Sequence, residues 1–160
     1  MTAGHRNRIF WYRVGLLPGF TSEGDLPPGV HLADWDELRS RFGSSTPRRI
    51  WLFGKLEALV AAAAGTEKLL RIFLWGSFVT AKPAPGDLDI LVIMANDFET
   101  SDVVPPCSAV FESTQARSVF EADVFWARAS IGRETLALWL ETYQTSRTFR
   151  KRGIVELELP

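Results

Sequence analysis

Cysteine is almost missing from this chain of 160 residues. Cys107 stands alone, so an internal disulfide is excluded, and the chain suits a reducing compartment, with cytoplasm the expected location. Histidine is nearly as scarce: His5 and His31 are too isolated to suggest a metal pair, and each reads as a structural or surface residue. No apolar run reaches 18 residues, which excludes a membrane-spanning helix. Neither sign of charge dominates. Lys and Arg number 18 against 19 Asp and Glu, so the net charge of −1 points to neither a nucleic-acid coat nor a membrane surface. Repeats and low-complexity tracts are absent. The basic start (Arg6, Arg8) lacks the apolar segment and small-residue cleavage site of a secretory signal, and none is expected.

What the chain does have is aromatic bulk. Six Trp and eleven Phe imply a well-filled core or an apolar patch for a partner, with Trp11, Trp35 and Trp126 the candidates for such a patch. The length suits one domain. A division is expected into an N-terminal extension (1–32), a core (33–127) and a C-terminal helix and strand (128–160).

Residues 8–14 suit a short extended segment. Residues 15–30 hold Pro18, Gly19, Gly24, Pro27 and Pro28 and read as loop. A helix is predicted from about Ala33 to Phe42, with Asp34, Asp36 and Glu37 at its positive end and Gly43 stopping it. Thr46 as N-cap and Pro47 at the first helical position open the next helix. Its stripe is Leu52, Leu56, Leu59, Val60 and Ala63, and Gly65 is the expected left-handed cap. Strands are predicted at Leu70 to Trp75, Leu88 to Met94 and Val119 to Ala127. Helix is predicted at 107–118 and from Ser130 to Ser146, and a half-exposed strand at Ile154 to Leu159. Interleaved helices and strands predict an α/β or α+β class with a mixed sheet.

The chemistry concentrates in residues 74–94. An apolar run ends in Gly76-Ser77, a linker rich in Pro and Gly follows, and Asp87 and Asp89 open the next apolar run. Alternate strand residues share a face at a separation of about 6.5–7 Å. Asp87 and Asp89 therefore face one way while Leu88, Ile90 and Val92 face the core. Two carboxylates this close repel unless a cation neutralises them, and Mg²⁺ prefers such oxygen ligands completed by water and phosphate. Two such ions would clamp both oxygens of a phosphoryl transfer. Asp123 interrupts an apolar strand and is the candidate third ligand, or the acceptor of a proton from an attacking hydroxyl. Gly76 lets backbone approach a phosphate, Ser77 adds a hydroxyl donor, and a helical turn from Phe78 would aim N–H groups at the same anion.

Gly76-Ser77, Asp87-Leu88-Asp89 and Asp123 together resemble the palm of the polymerase-beta-type nucleotidyltransferase superfamily, over roughly residues 47–127. The resemblance implies a mixed sheet flanked by helices, two Mg²⁺ ions, and transfer of a nucleoside monophosphate from an NTP, ATP being the natural choice, to a hydroxyl with release of pyrophosphate. Carried over, Gly76 and Ser77 would hold the triphosphate, Asp87 and Asp89 would bind metal, and Asp123 would be third ligand and base. The whole chain is also similar to a family of small bacterial proteins. The residues in common are Leu26 to His31, Gly76 to Asp89 and Lys151 to Val155. Against larger members of that superfamily, no separate acceptor domain is expected, and acceptor recognition would fall to the N-terminal segment, the C-terminal segment or a partner chain. The implied acceptors are a partner protein or tRNA, in a toxin–antitoxin or phage-defence setting, and a homo-oligomer is compatible. The alternative is a degenerate domain that binds nucleotide or a partner without turnover. A metal-dependent glycosyltransferase using Asp-x-Asp fits the short chain and the Gly-Ser turn poorly.

Other residues have two readings each. Lys82 either touches phosphate or is a solvated loop lysine. Arg147, Arg150, Lys151 and Arg152 either steer a triphosphate or RNA, or complement the dipole at a helix end. Glu121 is placed on the strand face of Asp123, either supporting the aspartates from behind or partly exposed, and Asp97, Glu99 and Asp102 read as a solvated loop. Cys107 reads as a small packed residue.

Overall fold

A computed structural model describes residues 17–160. The predicted extended segment at 8–14, with Arg6, Arg8, His5 and Trp11, lies outside the described residues. Five strands form one mixed sheet: β1 (Val30–Ala33), β2 (Leu69–Trp75), β3 (Leu88–Met94), β4 (Ala122–Arg128) and β5 (Ile154–Leu157). Their spatial order is β1-β5-β2-β3-β4. The outer pairs β1–β5 and β3–β4 run parallel, and the inner pairs β5–β2 and β2–β3 run antiparallel.

Residue parity sorts the sheet into two faces. Ile72, Leu74, Leu88, Ile90, Val92 and Met94 join the larger core, covered by α1 (Trp35–Phe42), α2 (Pro47–Ala64) and α3 (Ser113–Phe120). Phe73, Trp75, Leu91, Ile93 and Ile154 face the other way, under α4 (Arg133–Tyr143), which contributes Leu136, Trp139, Leu140 and Tyr143. With helices on both faces, β3 can be apolar nearly throughout, as a central strand must be. The mixed sheet flanked by helices is the architecture expected from the sequence. No helix among the described residues is long and apolar enough to cross a membrane.

The caps explain most helix boundaries. Asp34 accepts from the Glu37 N–H at 2.8 Å and starts α1; Gly43 ends it. Thr46 accepts from the Arg49 N–H at 3.2 Å, with Pro47 next, and starts α2. Four local expectations are corrected. Gly65 is right-handed (φ −61°), and the left-handed position falls on Glu67 (φ 60°). The end of the expected loop 15–30 enters β1, a short edge strand whose exposed Val30 and Leu32 give no apolar run to notice. The predicted helix at 107–118 is a 3-10 turn (Cys107–Phe111) followed by α3, which runs on to Phe120. Glu121 is therefore not on the strand face of Asp123: it is the left-handed cap of α3 (φ 49°), and β4 starts after it.

The motifs at 26–31 and 151–155 pack on each other. β1 lies in register with β5, the Gly153 N–H donates to the Leu26 carbonyl at 2.8 Å, and a side chain on Gly153 would strike the Pro27 carbonyl and the His31 ring. His31 Nε2 in turn lies 2.7 Å from the Pro27 carbonyl, which makes it a structural histidine.

Candidate functional site

Trp75 on β2, Asp89 on β3 and Asp123 on β4 are direct register partners, so they form one row across the sheet on the α4 face. Neighbouring strands are about 4.8 Å apart, which sets the two aspartates side by side without any loop to position them. Asp87 precedes β3 and opens into the same cleft. The chain leaves β2 at Gly76, whose φ of +76° is strained for any residue with a Cβ. A Cβ there would also collide with the Asp89 carboxylate, so backbone and carboxylate are in contact only because residue 76 is glycine.

The 3-10 turn Gly76–Val79 and the linker after it are held from α2. Arg49 is buried, and its guanidinium donates to the carbonyls of Phe42 (3.1 Å), Phe78 (2.8 Å), Thr80 (2.5 Å) and Lys82 (2.6 Å). Arg48 donates to the carbonyls of Pro85 (3.0 Å) and Gly86 and pairs with Glu121 at 3.0 Å, while the Thr46 hydroxyl donates to Pro83 (2.8 Å). Ser77 Oγ accepts from the Gly86 N–H at 3.3 Å, which closes the linker and leaves its hydroxyl hydrogen to donate.

Facing the aspartates is the segment between α4 and β5. Arg147, Arg150 and Arg152 line the same open cleft of about 760 Å³, as does exposed Lys82. Because α4 ends at Tyr143, these arginines do not complement its dipole; that reading is corrected. Lys151 points away and pairs with Glu141. Arg150 is fixed by Asp25, which is 4% exposed and accepts from its Nε at 2.8 Å. Arg152 Nε is buried without a hydrogen-bond partner.

Burial pushes the Asp89 carboxyl up to about 6, the charges of Asp87 and Asp123 push the same way, and Arg152 and Arg147 oppose them. This is the imbalance a bound cation relieves. Among the described residues, no three His, Cys, Asp or Glu side chains form a ready metal cluster. Asp123 instead pairs with Arg117 Nε at 2.6 Å. Asp87 and Asp89, with waters and substrate phosphates, remain a donor set of the kind Mg²⁺ takes. All six expected site residues, Gly76, Ser77, Lys82, Asp87, Asp89 and Asp123, line the one cleft.

Away from the cleft, Asp97 pairs with Lys68 at 2.5 Å and Glu99 with Arg128 at 3.0 Å on the surface. Trp35 packs edge-on against Phe53, and Trp126 against Phe98 and Phe111; both are half-buried at the margin of the larger core, and Trp35 also lines an open groove with Val60, Leu69 and Leu159. Cys107 is half-buried beside Gly65.

Sequence reasoning missed Arg48 and Arg49. Their signal was available: two cations in the first turn of a helix oppose its dipole, and they stay there only if something else takes their charge. It also missed the aromatic group Trp75, Phe125 and Tyr143 in the cleft, which no spacing rule links.

No curated protein matches the chain. One solved structure, a tri-AMPylated Shewanella oneidensis HEPN toxin in complex with MNT antitoxin, contains a chain that is 18% identical over 63% of this chain and 70% of that one. Its TM-score of 0.34 is too low to carry an argument. The match that does carry one runs from residue 18 to residue 158, nearly everything the structure describes, and by it the chain belongs to the Family of unknown function (DUF6932).

Proposed function

We propose that this domain is a Mg²⁺-dependent nucleotidyltransferase that moves a nucleoside monophosphate from an NTP, ATP first, to a hydroxyl of a protein or RNA acceptor. The observation that carries the reading is the row Asp89–Asp123 set against Gly76-Ser77, with Arg147 and Arg152 across the same cleft. Asp87 and Asp89 would hold the metal, with Asp123 as third ligand where a cation displaces Arg117. When bound, Mg²⁺ neutralises charge on the reacting phosphoryl oxygens.

The chain's own residues do the rest. The Gly76 backbone, the Ser77 hydroxyl and Lys82 bind the triphosphate, and Arg147 and Arg152 take its tail. The acceptor oxygen bonds to the α-phosphorus as the bond to the pyrophosphate oxygen breaks. Asp123 receives the hydroxyl proton, and pyrophosphate leaves. We place the acceptor, protein or tRNA, in a toxin–antitoxin or defence pair.

The test is incubation of the protein with each labelled NTP, Mg²⁺, total tRNA and cell lysate. Label should pass to one acceptor, and the Asp87→Asn/Asp89→Asn double variant should stay folded and transfer none. Full activity in that variant sinks the mechanism. The ion pair Arg117–Asp123 favours a second reading, a domain that binds nucleotide without turnover. It predicts nucleotide binding with no pyrophosphate release in either the wild type or Arg117→Ala.

A further inference from the structure

The cleft has an aromatic end as well as an acidic one. Phe125 lies two residues beyond Asp123 on β4, hence on the same face and about 6.5–7 Å along it. Its register neighbours toward the sheet centre, Leu91 and Phe73, are fully buried, but Phe125 is 50% exposed because β4 is the edge strand. Among the exposed large apolar side chains of the described residues, it is the one that lines this cleft. Behind it, Trp75 and Tyr143 stack in parallel, with ring centres 3.8 Å apart and planes 8° apart. Phe125 stands 5.9 Å from the first and 6.1 Å from the second.

We propose that Phe125, backed by the Trp75–Tyr143 stack, is the platform for the base of the nucleotide whose phosphates meet Gly76-Ser77 and the aspartates. This rests on the donor-nucleotide reading above and adds what holds the base. A flat, half-exposed ring supported by two stacked rings offers a base a preformed π face, and stacking favours every base. At this end the hydroxyls of Thr142 and Thr145 donate to the carbonyls of Leu138 and Glu141 within their own segment, so neither has a hydrogen left to give a base. The platform is therefore permissive: all four NTPs bind, and purines, with the larger ring area, bind tightest.

The experiment is calorimetric titration of the full chain in Mg²⁺ with ATP, GTP, CTP, UTP and inorganic tripolyphosphate, for wild type, Phe125→Ala, Phe125→Leu and Phe125→Trp. Phe125→Ala and Phe125→Leu should weaken NTP binding about tenfold or more and leave tripolyphosphate binding unchanged. Phe125→Trp should restore it. Phe125→Leu keeps an apolar side chain in place, so its loss reports the ring and not the fold. NTP affinity that is equal in wild type and Phe125→Leu, or tripolyphosphate binding that falls in parallel, overturns the platform and leaves the phosphate reading standing. A wild type that binds neither tripolyphosphate nor NTP overturns both.

Discussion

The carboxylate of Asp89 occupies the space that a side chain on Gly76 would need. Two constraints thus fall on one glycine, its positive φ and the carboxylate against it. Gly76→Ala is expected to cost about 2 kcal/mol and to push Asp89 out of its row. A lower urea midpoint at unchanged slope would show it, together with loss of the proposed nucleotide transfer.

Asp89 predicts a pH effect of definite sign. Burial pushes its carboxyl up to about 6, well above the ordinary aspartate range, so the native state holds the proton more tightly than the unfolded chain. The stability carried by the protonated form is complete below about pH 4 and is lost as pH rises through 6. In EDTA at pH 7.5, Asp89→Asn should be more stable than wild type by about 1–2 kcal/mol, allowing for partial solvent screening. The gap should close near pH 4 and narrow when Mg²⁺ is added. Thermal midpoints of both proteins across that range check it.

Arg49 predicts the largest single loss of stability. Removing its buried guanidinium leaves the carbonyls of Phe42, Phe78 and Thr80 short of a donor. Arg49→Ala should cost about 3 kcal/mol or more, and Arg48→Ala, half-exposed, about 1 kcal/mol. Chemical denaturation of the two variants orders them.

Arg117 should compete with a cation for Asp123. Its side chain is 70% exposed, so Arg117→Ala is expected to change stability by less than about 0.5 kcal/mol. The same variant should bind Mn²⁺ several-fold more tightly, since the metal no longer displaces a guanidinium. Unchanged Mn²⁺ affinity by calorimetry would count against Asp123 as a ligand.

The acidic half of the site was legible because strand periodicity is a local rule. Asp87, Leu88, Asp89 and Ile90 declare their faces without knowledge of their neighbours. That Asp123 would sit opposite Asp89 was readable only as a polar break in an apolar strand, since register belongs to the pairing of strands. β1 was invisible because a short edge strand with Val30 and Leu32 outward shows no buried stripe. Glu121 was misplaced because a left-handed glutamate at a helix end mimics the first residue of a strand. Phe125 carried no signal of its own within an apolar strand, since exposure at a sheet edge depends on which strand lies outermost.

Every hydrogen bond from Thr46, Arg48 and Arg49 to the linker ends on a main-chain oxygen: Phe78, Thr80, Lys82, Pro83, Pro85 and Gly86. The grip is indifferent to side-chain identity. The exposed stretch around Ala84 can therefore diverge in sequence, or carry a spectroscopic label, while the path of the backbone into Asp87 stays the same.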